Sequence, residues 1–220
     1  MLRCSILTPR RPATNAGFRE CNRRLAEAVK RHRGRVLGYC HVNPGHAKEA
    51  VEEVKRYVLD HEFIGIKLYT PSICIFTPVL PVVEQAISLG VPILHHAGHP
   101  HYPLADQPRI SDGGGLATLA KRYPEAKLIC AHICGGGDWE WTIRALRHAP
   151  TVYVDTSGSV LDDDVVNTAA RVLGVDRLLF GCDWSMTARV DRIRGAELSA
   201  AEKASILGGS MEAIPKRRKA

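Results

Sequence analysis

The sequence predicts an α/β fold in which parallel strands alternate with helices. Seven short apolar runs rich in Val, Ile and Leu recur along the 220 residues, and amphipathic stretches with a helical period lie between them. Near-continuous apolarity is typical of strands buried on both faces of a parallel sheet. Alternation at this spacing indicates βαβ units with right-handed crossovers. The pattern favours a (β/α)8 barrel over an open doubly wound sheet, although the spacing alone does not decide between them.

The apolar runs place seven strands along the chain. They cover residues 4–7, 36–42, 64–69, 91–96, 127–133, 152–155 and 178–182. A complete barrel takes about 250 residues and eight strands, so this chain is expected to lack one βα unit. No linker or low-complexity segment interrupts the pattern, which predicts a single domain over residues 1–220 with a basic C-terminal tail at 214–220.

Amphipathic stretches predict six helices. Their residues are 22–31, 46–59, 79–89, 138–147, 162–173 and 199–207. Gly90 is predicted to end the third helix, since glycine adopts the left-handed conformation common at helix C-termini. Ser199 with Glu202 three residues later has the spacing of a capping box, which predicts the start of the last helix.

The composition is that of a globular protein with an excess of positive charge. It is 45% hydrophobic and 24% charged, which excludes a disordered chain, and 30 Lys and Arg against 23 Asp and Glu give a net charge of +7. Much of the excess lies in the runs 31–35 and 216–219, neither of which is interleaved with aromatic residues. Nucleic acid is therefore not expected as a partner.

Neither a membrane nor disulfide bonds are indicated. No apolar run approaches the ~20 residues of a membrane helix, and residues 1–4 do not begin a secretory signal. Seven cysteines occur without CxxC pairing, several of them inside apolar runs, which predicts buried thiols in a reducing compartment. A soluble, cytoplasmic protein with no membrane partner is expected.

Polar side chains are concentrated at the carboxyl ends of the predicted strands, where the active sites of barrels lie. The group consists of Lys67, His95, His96, His132, Asp155 and Asp183. Two imidazoles and a carboxylate that converge from different strands predict a divalent-metal site with water in an open position. Such an ion lowers the pKa of bound water from about 15.7 toward about 7, which gives a nucleophile at neutral pH.

Each of these residues also has an ordinary structural interpretation. A single strand-end histidine is more often a hydrogen-bonded core residue than a metal ligand. Asp183 would cap the loop that follows it, and Lys67 would pair with a carboxylate such as Asp155. The group as a whole favours a site, because unrelated polar residues would not all lie at strand ends by chance.

The segments that carry these residues occur in a recognisable order. They are GIKL at 65–68, PILHHAG at 92–98, LICAHICGG at 128–136, VYVDTS at 152–157, DRLLFGCDW at 176–184 and ILGGS at 206–210. In this order they resemble the amidohydrolase-2 family, a group of metal-dependent TIM-barrel hydrolases and decarboxylases similar to aminocarboxymuconate-semialdehyde decarboxylase. The resemblance covers nearly the whole chain. It implies a TIM-type (β/α)8 barrel of the metal-dependent hydrolase superfamily.

The resemblance also implies roles for the matching residues. His96 and Asp183 would be metal ligands, and Asp183 would also orient a water. His132 would act as a general acid/base or water activator beside the metal. We therefore expect His132 and Asp183 to be catalytic, and the metal site to consist of His96, His132 and Asp183. His95 precedes the ligand position and is expected to turn away into the helix layer.

For a His/Asp ligand set, zinc is the first expectation for the cofactor and manganese the second. Lys67, Tyr69 and Trp184 are expected to bind the substrate, the first two by holding an anionic group. Lys67 could instead be carboxylated and bridge a second metal, as fourth-strand lysines do elsewhere in the superfamily. The simple ammonium is favoured, because the resemblance implies a single metal.

One family feature has no counterpart in this sequence. The first strand of the family carries an Asp-x-His-x-His pair of metal ligands, whereas the HxH of this chain, at residues 99–101, follows the fourth predicted strand. We expect the first βα unit to be the missing one, either because the natural protein begins upstream or because the chain is a seven-stranded form. His41 is a weaker candidate for a replacement ligand. Strands beside a gap expose unpaired edges, so a homo-oligomer is expected.

Taken together, these features predict a metal-dependent hydrolase or decarboxylase that acts on a small carboxylate, lactone or amide through a metal-activated water. The expected partner is then a small-molecule substrate. The alternative is a catalytically silent, amidohydrolase-like barrel fragment that serves as an oligomerising or binding module. The missing first-strand ligands favour this second hypothesis.

Overall fold

The structure is a computed structural model that describes residues 3–7, 14–68, 77–98, 110–133, 137–158, 162, 164–183 and 185–214. The chain forms two compact units. Unit 1 comprises Met1–Thr70, Phe76–Leu94 and Lys216–Ala220, and unit 2 comprises Pro71–Ile75 and His95–Pro215. The single domain over residues 1–220 stays a prediction, and the basic tail lies outside the described residues except for residue 214.

Unit 1 contains the first part of the predicted alternation. Its strands β1 (Arg3–Ser5), β2 (Val36–Val42) and β3 (Gly65–Leu68) pair in parallel in chain order. The Ile66 N–H donates to the Pro92 carbonyl oxygen at 2.9 Å, next to β4 (Ile93–His95), whose last residue belongs to unit 2. The helices are α1 (Asn15–Arg31), α2 (Ala47–Asp60) and α3 (Leu80–Leu89), with 3₁₀ turns at Pro44–His46 and Thr77–Val79.

Unit 2 continues the same pattern. The Ala131 N–H donates to the His95 carbonyl oxygen at 2.9 Å, and strands β5 (Leu128–Cys130), β6 (Val152–Asp155) and β7 (Leu178–Leu179) pair in parallel. The longer helices are α4 (Gly113–Arg122), α5 (Trp139–Leu146), α6 (Val165–Leu173) and α7 (Met186–Gly195). The unit also contains a 3₁₀ turn at Val175–Arg177, the short helices α8 (Ala200–Ala204) and α9 (Ser210–Ala213), and a π-helical turn at Ser205–Gly209.

The strands are buried as their apolar runs predict. All four residues of β3 are buried, and Ile66 and Leu68 are 0% exposed. Burying a side chain of this size stabilises the fold by about 1.5–3 kcal/mol. All seven predicted strands occur among the described residues. Some are shorter than predicted: residues 131–133 leave β5, because His132 has a φ of +66°, which an extended strand does not tolerate.

Two predicted helix ends are confirmed in the structure. Gly90 follows α3 with a left-handed φ of +66°. At the start of α8, the Ser199 hydroxyl accepts the Glu202 N–H at 3.3 Å, and the Glu202 carboxylate accepts the Ser199 N–H at 2.8 Å. This reciprocal pair is the predicted capping box.

The sequence patterns missed helices α4 and α7. Helix α4 opens with three glycines, which are poor helix formers. Asp112 caps it by accepting the Gly115 N–H at 2.7 Å. A Cβ on Gly113 would lie 2.8 Å from Cα of Thr142 in α5, so glycine is needed where the two helices approach. Helix α7 carries three arginines in ten residues, so its sequence shows no clear apolar face of helical period.

Within the described part of the chain, no helix combines the length and apolarity needed to cross a membrane.

The residues Cys21, Cys40, Cys130 and Cys182 are thiols outside any disulfide. Burial raises the pKa of the Cys40 thiol well above its usual value, so this thiol stays protonated and unreactive. Burial is confirmed for Cys40 and Cys130, whereas Cys21 and Cys182 are half-buried, and the reducing compartment stays a prediction.

The close approach of α4 and α5 gives a test of the fold. We expect Gly113→Ala to destabilise the protein by about 1–3 kcal/mol, because the new methyl group would overlap the backbone of α5. The matched control is Gly114→Ala, whose Cβ would meet only the Asp112 side chain at 3.3 Å. The control should be neutral or stabilising by up to about 1 kcal/mol. The free energy of unfolding of each variant is measured in urea, and equal changes in the two variants would contradict the described packing.

Candidate active site

The carboxyl ends of strands β4 to β7 place four of the predicted residues in unit 2. His96 directly follows β4, and Asp155 is the last residue of β6. His132 and Asp183 lie in the loops that follow β5 and β7. Because parallel strands bring their carboxyl ends to one edge, residues distant in sequence are close together here.

His132 contacts both of the other residues of the predicted metal site. Its Nδ1 lies 3.1 Å from Oδ2 of Asp183, and its ring meets the ring of His96 edge-on with centroids 4.4 Å apart. The side chains of His132 and Asp183 are 13% and 37% exposed, so the Asp183 carboxylate is open to solvent while the His132 ring is largely enclosed. The structure thus brings these residues together, while their catalytic and metal-binding roles stay predictions.

Asp155 holds the His132 loop in place through one carboxylate oxygen. Its Oδ1 accepts the backbone N–H of His132 at 3.0 Å and that of Ser157 at 2.9 Å. The Ser157 hydroxyl donates to the same oxygen. Asp155 is only 7% exposed, and these bonds supply the hydrogen-bond donors that a buried carboxylate requires.

This network determines which ring nitrogen of His132 carries the proton. Ser157 Oγ lies 3.0 Å from His132 Nδ1, and its own hydrogen is committed to Asp155. Oγ must therefore accept from Nδ1, and the Asp183 carboxylate can also only accept. Nδ1 is the protonated nitrogen, and both polar contacts that the His132 ring makes with described residues use it. Nε2 therefore carries the lone pair of the neutral ring.

The backbone of His132 is in an uncommon conformation. Its φ of +66° lies in the left-handed region, which costs of order 1–3 kcal/mol for a residue with a side chain. The charge-assisted bond from the His132 N–H to Asp155 and the bond from the Ile133 N–H to the Asp155 carbonyl oxygen at 3.1 Å offset this cost. Strain held in this way is typical of functional residues.

Gly181 makes room for the network. A Cβ at this position would lie 3.0 Å from Oδ1 of Asp155 and 3.1 Å from Cβ of Ser157. The sequence reasoning did not single out Ser157 or Gly181 as site residues. For Ser157 a signal existed: it lies two residues after Asp155, and an extended chain places residues two apart on the same face.

The other predicted site residues lie elsewhere or outside the described chain. Lys67 is 6% exposed and belongs to unit 1, and Tyr69 and Trp184 are outside the described residues. Their substrate-binding roles stay predictions. His95 is 0% exposed, and its Nδ1 lies 2.8 Å from the His96 carbonyl oxygen.

His41 is a buried residue of unit 1. Burial is the main cause that lowers the pKa of His41 to about 4. The hydrogen bond to the Leu7 carbonyl oxygen acts in the opposite direction, and the charge of Lys67 acts in the same direction. The ring is neutral at physiological pH. The Asn22 side chain holds the backbone of His41: it accepts the His41 N–H and donates to the His41 carbonyl oxygen, each at 2.9 Å. These contacts indicate a structural role.

The fit to a metal ion is incomplete. Within the described ranges, no group of three or more His, Cys, Asp or Glu side chains is arranged to hold a metal ion. His132 Nδ1 and Asp183 Oδ2 contact each other directly, and a shared ion would instead lie about 2.0–2.2 Å from each atom. The described residues therefore do not by themselves form a complete ligand shell.

Comparison with known proteins gives one family match. The model of a family described as Amidohydrolase matches residues 10–210. A comparison with curated proteins finds no match.

Solved structures share the fold. The crystal structure of 2,6-dihydroxybenzoate decarboxylase from Rhizobium is 18% identical, with a TM-score of 0.70 over 94% of this chain and 79% of that one. A dihydroxybenzoic acid decarboxylase from Polaromonas sp. JS666, with bound manganese and 2-nitroresorcinol, is 20% identical, with a TM-score of 0.70 over 91% of this chain and 75% of that one. An uncharacterised TIM-barrel protein from Bordetella bronchiseptica is 15% identical, with a TM-score of 0.70 over 88% of this chain and 71% of that one.

At these identities the likeness establishes the fold. It confirms the predicted α/β fold class of TIM-barrel type, with seven parallel strands among the described residues. The manganese belongs to the Polaromonas structure, and the metal of this chain stays a prediction.

The hydrogen bonds at His132 predict its neutral tautomer. Imidazole nitrogen NMR of the wild-type protein should show the proton on Nδ1, because two acceptors face that atom. Ser157→Ala removes one acceptor and should increase the fraction of the Nε2–H tautomer. The matched variant Ser157→Thr keeps the hydroxyl and should resemble the wild type. A wild-type ring protonated on Nε2 would contradict the assignment.

Proposed function

The chain belongs to the amidohydrolase family, and we propose that it decarboxylates a small aromatic carboxylic acid with His132 as the general acid. The observation that carries this proposal is the contact of His132 Nδ1 with Asp183 and Ser157, which leaves Nε2 for the substrate. The decarboxylases among the similar structures support the choice of reaction.

The proposed reaction begins with a protonated His132. Asp183, 3.1 Å from Nδ1, stabilises the imidazolium. Nε2 delivers its proton to the ring carbon that carries the carboxylate. The bond between that carbon and the carboxylate then breaks, its electron pair returns to the ring, and CO2 leaves. His132 is left neutral with its proton on Nδ1, and Nε2 regains a proton from water after the product leaves.

Hydrolysis of a small lactone or amide is the second candidate. The neutral His132 ring has its lone pair on Nε2, because Nδ1 carries the proton. Nε2 would take a proton from the water that attacks the substrate carbonyl, and the imidazolium would then protonate the leaving group. Asp183 stabilises the charged ring in this reaction as well.

A divalent cation belongs to the proposal as a cofactor, with manganese favoured over zinc by the Polaromonas structure. Among the described residues, His96 and Asp183 are the donors that we propose for it, together with ligands beyond them. Such a cation supplies Lewis-acid polarisation of a bound oxygen. We keep Lys67, Tyr69 and Trp184 as proposed substrate contacts, and a cytoplasmic homo-oligomer as the proposed state of the protein.

The test is turnover of an aromatic acid by the purified full chain. The protein is incubated with 2,6-dihydroxybenzoate after treatment with EDTA, Mn²⁺ or Zn²⁺, and resorcinol formation is followed by chromatography. We expect activity with Mn²⁺, and a fall in kcat of about a hundredfold or more in His132→Asn, because the proton donor is removed. His148→Asn changes an exposed histidine of the same unit and is the matched control.

Equal kcat in His132→Asn and wild type would contradict the acid–base role. Hydrolysis of a lactone or amide without loss of CO2 from the acid would favour the second candidate. Absence of turnover, with bound metal below about a tenth of an equivalent after reconstitution, would support the silent binding module.

A further inference from the structure

Trp141 on α5 is a large apolar side chain that unit 2 leaves in contact with solvent. It is 69% exposed, whereas the other large apolar side chains exposed among the described residues are only 36–39% exposed. These are Leu7, Leu59, Val172 and Leu207. Tryptophan buries a large apolar area when it is covered, and it is enriched in protein interfaces. The exposure of Trp141 therefore singles out α5 as a contact surface.

Two exposed charged side chains flank Trp141 on α5. Glu140 and Arg144 are one helical turn apart and form a loose ion pair, with 3.8 Å between Arg144 Nη2 and Glu140 Oε2, which is too long for a hydrogen bond. Cζ of Arg144 lies over the Trp141 ring, 5.1 Å from its centroid. The acid thus lies toward the start of the exposed face of α5 and the base toward its end.

This charge pattern is complementary to itself. When two copies of α5 lie antiparallel about a two-fold axis at the level of Thr142, Glu140 of one copy faces Arg144 of the partner subunit, and the reverse pair forms at the same time. With a rise of about 1.5 Å per residue, the two indole rings are then offset by about 3 Å along the helix axes, which allows them to pack together. A second copy of this chain therefore fits the face.

We propose that the exposed face of α5, formed by Glu140, Trp141 and Arg144, is the interface of a two-fold symmetric homodimer. Burial of the two indole rings drives the association, and the two ion pairs between the copies set the antiparallel orientation. The proposal rests on the homo-oligomer proposed above and gives it a surface. It does not depend on the proposed reaction or on unpaired strand edges.

Analytical ultracentrifugation of the full chain over about 1–100 µM tests the proposal. We expect a monomer–dimer equilibrium in the wild type. Trp141→Ser should weaken dimerisation at least about tenfold, because an aromatic anchor at the centre of an interface carries much of the binding free energy. The control Leu59→Ser removes an exposed apolar side chain of unit 1 and should leave the equilibrium unchanged.

Charge reversal tests the antiparallel pairing. Arg144→Glu brings acids together across the interface, and Glu140→Arg brings bases together, so each variant alone should dimerise at least about tenfold more weakly than the wild type. A mixture of the two variants should form a heterodimer at least about tenfold more tightly than either variant associates alone, because both pairs across the interface are attractive again. An effect confined to the single copy would give no such rescue.

Three results would overturn the proposal. A wild type that is monomeric at about 100 µM would assign the face to another molecule or to none. A dimer as strong in Trp141→Ser as in the wild type would place the interface on another surface. A mixture of the charge variants that associates no better than either alone would exclude the antiparallel pairing. Failure of the proposed reaction is distinguishable from these results, since His132→Asn should lose turnover and keep the dimer.

Discussion

The candidate site depends on one buried carboxylate oxygen. Oδ1 of Asp155 accepts the N–H groups of His132 and Ser157 and the hydroxyl of Ser157, and so joins the ends of β5 and β6. It holds His132 in a left-handed conformation that an unsupported loop would leave. It also commits the Ser157 hydrogen and thereby fixes the proton of the imidazole on Nδ1. The chemistry of Nε2 is a consequence of this arrangement.

Much of the fold follows from local sequence pattern. The runs 36–42 and 152–155 form strands with the predicted bounds, because each run is apolar and ends at turn residues. Helix α4 was not predictable in this way. Its three opening glycines are tolerated because α5 packs against them, and packing between distant segments leaves no mark on a local pattern.

The site was predictable only in part for the same physical reason. The histidines and Asp183 stand out because polar residues at the ends of apolar runs are unusual. Ser157 is marked only by its position two residues after Asp155, since a serine after a strand is ordinary, and its role arises from its contacts with Asp155 and His132.

The structure and the family membership support different parts of the functional account. Membership in the amidohydrolase family rests on a match over residues 10–210, and the fold on likeness to a solved decarboxylase and to a solved TIM-barrel protein. The acid–base proposal rests on the contacts of His132.

Amide hydrogen exchange tests the organising role of Asp155 most directly. In the wild-type protein, the amides of His132 and Ser157 should be strongly protected, since both donate to the buried carboxylate. In Asp155→Ala both should lose protection together, while amides of the ladder between β5 and β6 remain protected. Fast exchange at His132 in the wild type, or loss of protection at only one of the two amides in Asp155→Ala, would contradict the account.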